Sequence, residues 1–127
     1  MILTAAEDEL EVVAQGTPDM TVKVKDGAFI EAGQPGALTA DTSSDAITAP
    51  TGNPRIDVVE IQTNAKTGVT AINIVTGSEA GSPSAPSVTS GAMKLAEIYC
   101  RVGMTSIKDA DDSTNGYITD SRKVMGS

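Results

Sequence analysis

Residues 53–62 read Asn-Pro-Arg-Ile-Asp-Val-Val-Glu-Ile-Gln. On an extended chain Ile56 and Val58 fall on one side and Val59 and Ile61 on the other. Apolar positions on both faces predict a central strand, covered above and below. Pro54 cannot donate to a ladder and suits the strand's first residue, with Thr51-Gly52-Asn53 as the turn before it. Arg55 and Asp57, two positions apart, point the same way at the strand's entrance, where they can pair with each other or with a neighbouring chain.

Weaker patterns surround this strand. Leu10–Ala14 is the first candidate, and Met20, Val22 and Val24 then alternate with Thr21, Lys23 and Lys25. Asp26-Gly27 predicts a hairpin returning Ala28–Glu31 antiparallel to that segment, and Gly33-Gln34-Pro35-Gly36 predicts another turn. Leu38–Thr42 and Ala46–Ala49 read as edge strands, and Val69–Thr76 as the hairpin partner of the central strand. Residues 77–91 carry Pro83 and Pro86 among Ser, Gly and Ala, which predicts an extended arm: a solvent linker, or an arm across a neighbouring subunit. Ala96, Ile98, Cys100 and Val102 alternate with Glu97, Tyr99 and Arg101, favouring strand over helix, and Tyr117–Arg122 follows an acidic loop at 108–116. The sum is one all-β domain over residues 1–127, a sandwich or open barrel of about eight short antiparallel strands.

Composition makes that core look thin. Phe29, Tyr99 and Tyr117 are the only aromatics among 127 residues, so a partner subunit is the expected source of further burial. A net charge of −8 with nine scattered Lys and Arg argues against nucleic-acid binding. Cys100 is the only cysteine, which excludes an internal disulfide. Met1–Glu7 lacks the basic and apolar regions of a signal peptide, and no apolar run reaches membrane-spanning length, so neither secretion nor membrane insertion is expected.

With no His and one Cys, a Ser or Cys nucleophile with His as its base, and an ordinary zinc site, are excluded, and no cofactor motif is present. Asp111, Ser113 and Asn115 occupy the first, third and fifth positions of a calcium-type loop with Gly116 at the sixth. The twelfth, where a bidentate Glu belongs, is Arg122, so an Asn115-Gly116 turn is the preferred reading. A glycan hydrolase needs paired acids across a recognisable cleft, and the sequence displays none. Tyr99 and Arg101 suit a subunit contact or an ordinary exposed strand face, and Arg55, Asp57, Asp120 and Arg122 suit ion pairs that set subunit register.

Five stretches, in order, resemble a β-rich module of tailed-bacteriophage virion proteins: Val13–Val22, Asn53–Asp57, Gly77–Pro86, Lys94–Ile98 and Ile118–Arg122. The resemblance spans most of the chain. It implies a non-enzymatic, commonly trimeric structural protein of the virion, assembled in the bacterial cytoplasm and contacting other virion proteins. Attachment or appendage formation in a tail fibre or baseplate is the first placement, with capsid decoration or a short head fibre second and recognition of a host-surface glycan third. The arm would then bring Pro83 and Pro86 to a subunit interface.

Overall fold

A computed structural model describes Ile2 and residues 8–123, and the fold is all-β: no helix forms among the described residues. Ten strands arise in chain order: β1 (Val12–Ala14), β2 (Val22–Val24), β3 (Gly27–Glu31), β4 (Gln34–Leu38), β5 (Thr42–Ser43), β6 (Arg55–Thr63), β7 (Thr70–Val75), β8 (Met93–Cys100), β9 (Ile107–Lys108) and β10 (Gly116–Asp120). They form a five-stranded sheet ordered β7-β6-β8-β10-β9, a three-stranded sheet ordered β1-β2-β5 and the two-stranded hairpin β3-β4. None closes into a barrel, so the architecture is sandwich-like.

The central strand of the sequence is central in space. β6 pairs antiparallel with β7 on one side and β8 on the other. Val59 and Ile61 of β6, with Leu95, Ile98 and Cys100 of β8, join Val22, Val24, Phe29 and Leu38 in one apolar core between the layers. Val58 faces the other way and is also fully buried. β8 carries one residue more than β6 at Leu95, because Ala96 pairs with Val59 and Lys94 with Glu60. This bulge turns Leu95 and Ala96 both into the core, where each is fully buried.

Several expectations need correction. The Asp26-Gly27 hairpin does not form. Asp26 is held between two other segments, its carbonyl accepting from Leu10 N at 3.2 Å and its N–H donating to Asp41 Oδ1 at 3.1 Å. The chain therefore runs on into β3 in a different sheet, and β2 pairs with β1 and β5 instead. The hairpin turn is Ala32-Gly33, where φ values of 51° and 78° supply the left-handed pair that a tight two-residue loop requires. Gln34–Leu38, expected to begin as a turn, is a strand in which Pro35 and Gly36 face Ile30 and Phe29. Ten strands replace about eight, Ile107–Lys108 being one the alternation did not reveal, and β9 runs parallel to β10. Met93–Cys100 is strand throughout, the element that the alternation favours.

β7 and β8 both oppose β6, so they run parallel to each other, and the chain between them must travel the length of β6. Residues 77–91 make that journey without strand structure.

Candidate functional site

The entrance of β6 is built on a buried ion pair. Arg55 Nε and Nη2 donate to Asp57 Oδ1 and Oδ2 at 2.7 and 3.0 Å, a bidentate pair whose carboxylate is 1% exposed. The remaining capacity is used as well: Arg55 Nη2 donates to Thr48 O at 2.7 Å, and Asp57 Oδ1 accepts from Gly77 N at 2.9 Å. Cys100 stands opposite Arg55 in the ladder, its Sγ 3.7 Å from Asp57 Oδ2. Burial, and then the Asp57 charge, push the thiol up to about 12, so it packs as an inert apolar side chain.

From this pair the crossover is fastened step by step to its own sheet. Glu79 accepts from the N–H groups of Thr51, Gly52 and Asn53 at 3.3, 2.9 and 3.1 Å, and these bonds hold its carboxyl below the usual carboxylate range. Ala80 N donates to Pro54 O at 3.0 Å. At the far end Thr89 N donates to Glu60 Oε1 at 2.7 Å and Gln62 Nε2 to Ser90 O at 3.0 Å. The arm is thus neither a free linker nor detached from its own chain. It lies over β6, with Pro83 and Pro86 half-buried.

Gly77 is the tight point of this path, since a Cβ there would overlap the backbone carbonyl of Ile56. Gly77→Ala is expected to cost about 1–3 kcal/mol through overpacking and to loosen the crossover. Limited proteolysis should show faster cleavage within residues 77–91, with a lower melting temperature.

On the outer face of β8 and β10, Tyr99 and Tyr117 are ladder partners and stack with ring centroids 5.4 Å apart. The Arg101 guanidinium lies 5.2 and 5.4 Å from the two centroids and donates to Asp111 Oδ1 at 2.9 Å and Asn115 O at 2.8 Å. Tyr99 and Arg101 therefore belong to one cluster with Tyr117, a partner that strand alternation alone does not reveal.

That cluster organises the acidic loop. Asp111 Oδ1 accepts from Arg101 and from Ser113 N, Asp112 Oδ1 accepts from Thr114 N and Asn115 N at 2.9 and 2.7 Å, and Asn115 Oδ1 accepts from Thr105 N at 3.2 Å. Of the calcium candidates, Asp111 Oδ1 accepts from Arg101 and from the Ser113 N–H, and Asn115 Oδ1 accepts from Thr105; among the described residues no group of three acidic, His or Cys side chains is placed to hold a metal.

The backbone bonds to Asp112 lower its pKa to about 2. A depressed carboxyl contributes stability above the unfolded value near ~3.9, and that contribution disappears as pH falls through the folded value. The loop is therefore expected to keep its form to about pH 4 and to open between there and about pH 2. An NMR titration following the Thr114 and Asn115 amides checks this; a midpoint for Asp112 at the ordinary aspartate value would contradict it.

Asp120 and Arg122 also pair within the chain. Arg122 Nε and Nη2 each donate to the Asp120 carboxylate at 2.9 Å, while Nη1 donates to Glu9 O at 2.8 Å and ties down the N-terminal segment. Both pairs thus form within the chain, between residues two apart on one strand or at its end.

The sequence held no sign of a further feature, a broad groove of about 1040 Å³ over β6 and β7. Its floor carries Glu60, Gln62 and Asn73, and Gln34, Asn64 and Thr89 stand around it. Gln62 donates to Ser90 O and Asn73 donates to Glu60 Oε2 at 3.3 Å, so both amides are anchored at the groove. The surface is lined by amide, hydroxyl and charged side chains and has no aromatic ring. No protein family, curated protein or solved structure matches this chain.

Proposed function

We propose that this chain is a non-enzymatic structural module of a tailed-phage virion, a homotrimer that forms an attachment or appendage part in a tail fibre or baseplate. One observation carries the reading: four of the five stretches that resemble the virion module meet in a single hydrogen-bonded unit. Asp57 binds Gly77, Glu79 binds the turn at Asn53, Asp57 faces Ile98, and Ile98 faces Ile118. In this unit Glu79 and Asp57 accept from backbone N–H groups of the turn and the crossover, which suits a rigid building block. Pro83 and Pro86 on the arm and the Tyr99, Arg101 and Tyr117 cluster are the surfaces offered to neighbouring copies, since Tyr and Arg are enriched at interface centres. Capsid decoration or a short head fibre would use the same module at a different place on the particle.

Sedimentation equilibrium on the purified chain tests the trimer, with a mass three times 12.9 kDa, or a whole multiple of that trimer, expected. A folded single chain at every dilution would overturn it. Locating the chain in a map of the intact particle separates tail from head by its symmetry environment.

The groove favours a second reading, recognition of a host-surface glycan, because sugar hydroxyls can pair with the amide and hydroxyl side chains that line it. Binding of the isolated chain on a glycan array would support it, and silence across the array would remove it.

A further inference from the structure

β7 is an edge strand without the usual protection. It pairs with β6 on one side, and no strand pairs with its other side among the described residues. Its sequence, Thr-Ala-Ile-Asn-Ile-Val, holds no charge and no proline, the two residue classes that normally blunt an edge. The other edge of the same sheet, β9, is two residues long and carries Lys108.

The ladder shows which backbone groups are open. Asn64 N donates to Val69 O at 2.8 Å, making these a hydrogen-bonded pair next to Thr63 and Thr70. Alternation makes Gln62 with Ala71 and Glu60 with Asn73 the next such pairs. The N–H and C=O groups of Thr70, Ile72 and Ile74 therefore point to the free edge. Beside that edge two slots of about 280 and about 260 Å³ separate β7 from residues 42–48 of the other layer, so the sandwich is open along this side. Ile72 and Ile74 stand in the opening, packed on the core yet only half covered.

We propose that the occupant of this edge is β7 of a second copy, run antiparallel about a two-fold axis beside Asn73. The edge is complementary to itself in that register. Ile72 faces Ile74 of the other copy on the inner side and Ala71 faces Val75 on the outer side, so apolar side chains meet apolar ones on both faces. The two Ile pairs exchange about four backbone hydrogen bonds, and the two five-stranded sheets become one. Asp45, which borders both slots, approaches its own mate, a repulsion that salt at about 0.15 M screens over roughly 8 Å.

The pairing stands apart from the three-fold reading above, and the native mass separates the two. A dimer or a hexamer supports edge pairing, and only the hexamer also keeps the trimer; a monomer or a plain trimer overturns edge pairing. Two variants report the register. Asn73→Cys places two thiols across a non-hydrogen-bonded pair, about 4.5 Å between Cα atoms, within disulfide reach. Oxidation with diamide, which takes up the two hydrogens, is expected to link most of the chain into covalent dimers at micromolar concentration. Ala71→Cys, about 14 Å from its mate, should stay unlinked, and Cys100 is buried in both. Asn73→Lys sets two like charges face to face while Glu60 offers each a partner within its own chain. It is expected to halve the native mass with the melting temperature unchanged; an unchanged mass, or equal linking through position 71, overturns the proposal.

Discussion

Replacing Asp57 by alanine is expected to destabilise the fold by about 3–5 kcal/mol, because it leaves the Arg55 charge buried without its partner. The loss reaches further than one pair. Asp57 is also the acceptor for Gly77 N at the start of the crossover, so its removal leaves a second donor unpaired. Urea unfolding followed by circular dichroism measures the effect, and a double variant isolates its cause. Arg55→Met with Asp57→Leu removes both charges and keeps apolar volume, and such exchanges of a buried pair are often neutral or stabilising. The double variant should therefore be markedly more stable than Asp57→Ala. Equal stability of the two would show that the crossover contact, rather than the stranded charge, dominates.

The second large effect is Phe29→Ala, with an expected loss of about 3–5 kcal/mol. Phe29 is 1% exposed and is the one aromatic ring of the core. It bridges Ile2 and stands against Gly36, where an added Cβ would overlap the ring's edge. Its truncation leaves a cavity between the β3-β4 hairpin and the rest of the core, which Leu, Ile and Val side chains in fixed rotamers fill only partly. Phe29→Leu keeps more of the volume and should cost less than half as much, with the denaturant slope unchanged in both variants. A loss below about 1 kcal/mol for Phe29→Ala would mean that the hairpin collapses onto the space and that Phe29 is no anchor.

These two residues show how a core short of aromatics is completed. The expectation of a thin core came from counting rings. The single chain nevertheless gathers Ile2, Leu10, Val22, Val24, Ile61, Leu95, Ile98 and Ile107, each fully buried, and among the described residues every buried side-chain polar atom has a partner. Aliphatic residues spread along the chain do the work of a few large ones, and carboxylates holding backbone N–H groups close the loops between them.

Residues 53–62 were legible because their signal is local. Apolar positions on both sides of an extended segment, a proline at its start and a turn before it identify a central strand without reference to anything distant, and β6 with its partner β7 follows. The pairing of Arg55 with Asp57 was legible for the same reason, since side chains two apart on a strand share a face. Glu60, an acid inside an apolar run, was a visible signal of a buried carboxylate, whereas nothing near Glu79 announced that it would cap a turn 26 residues away.

What tertiary structure alone decided is everything that depends on which surfaces meet. Asp26-Gly27 has the composition of a hairpin turn, yet Leu10 and Asp41 take its backbone groups and send the chain into another sheet. The path of residues 77–91 over β6, the Tyr99–Tyr117 stack beneath Arg101 and the open edge of β7 likewise follow from sheet order. Composition and alternation act within a few residues and set the kind of element. Order and register are set by burial and hydrogen bonding between segments far apart in the chain, which no local pattern encodes.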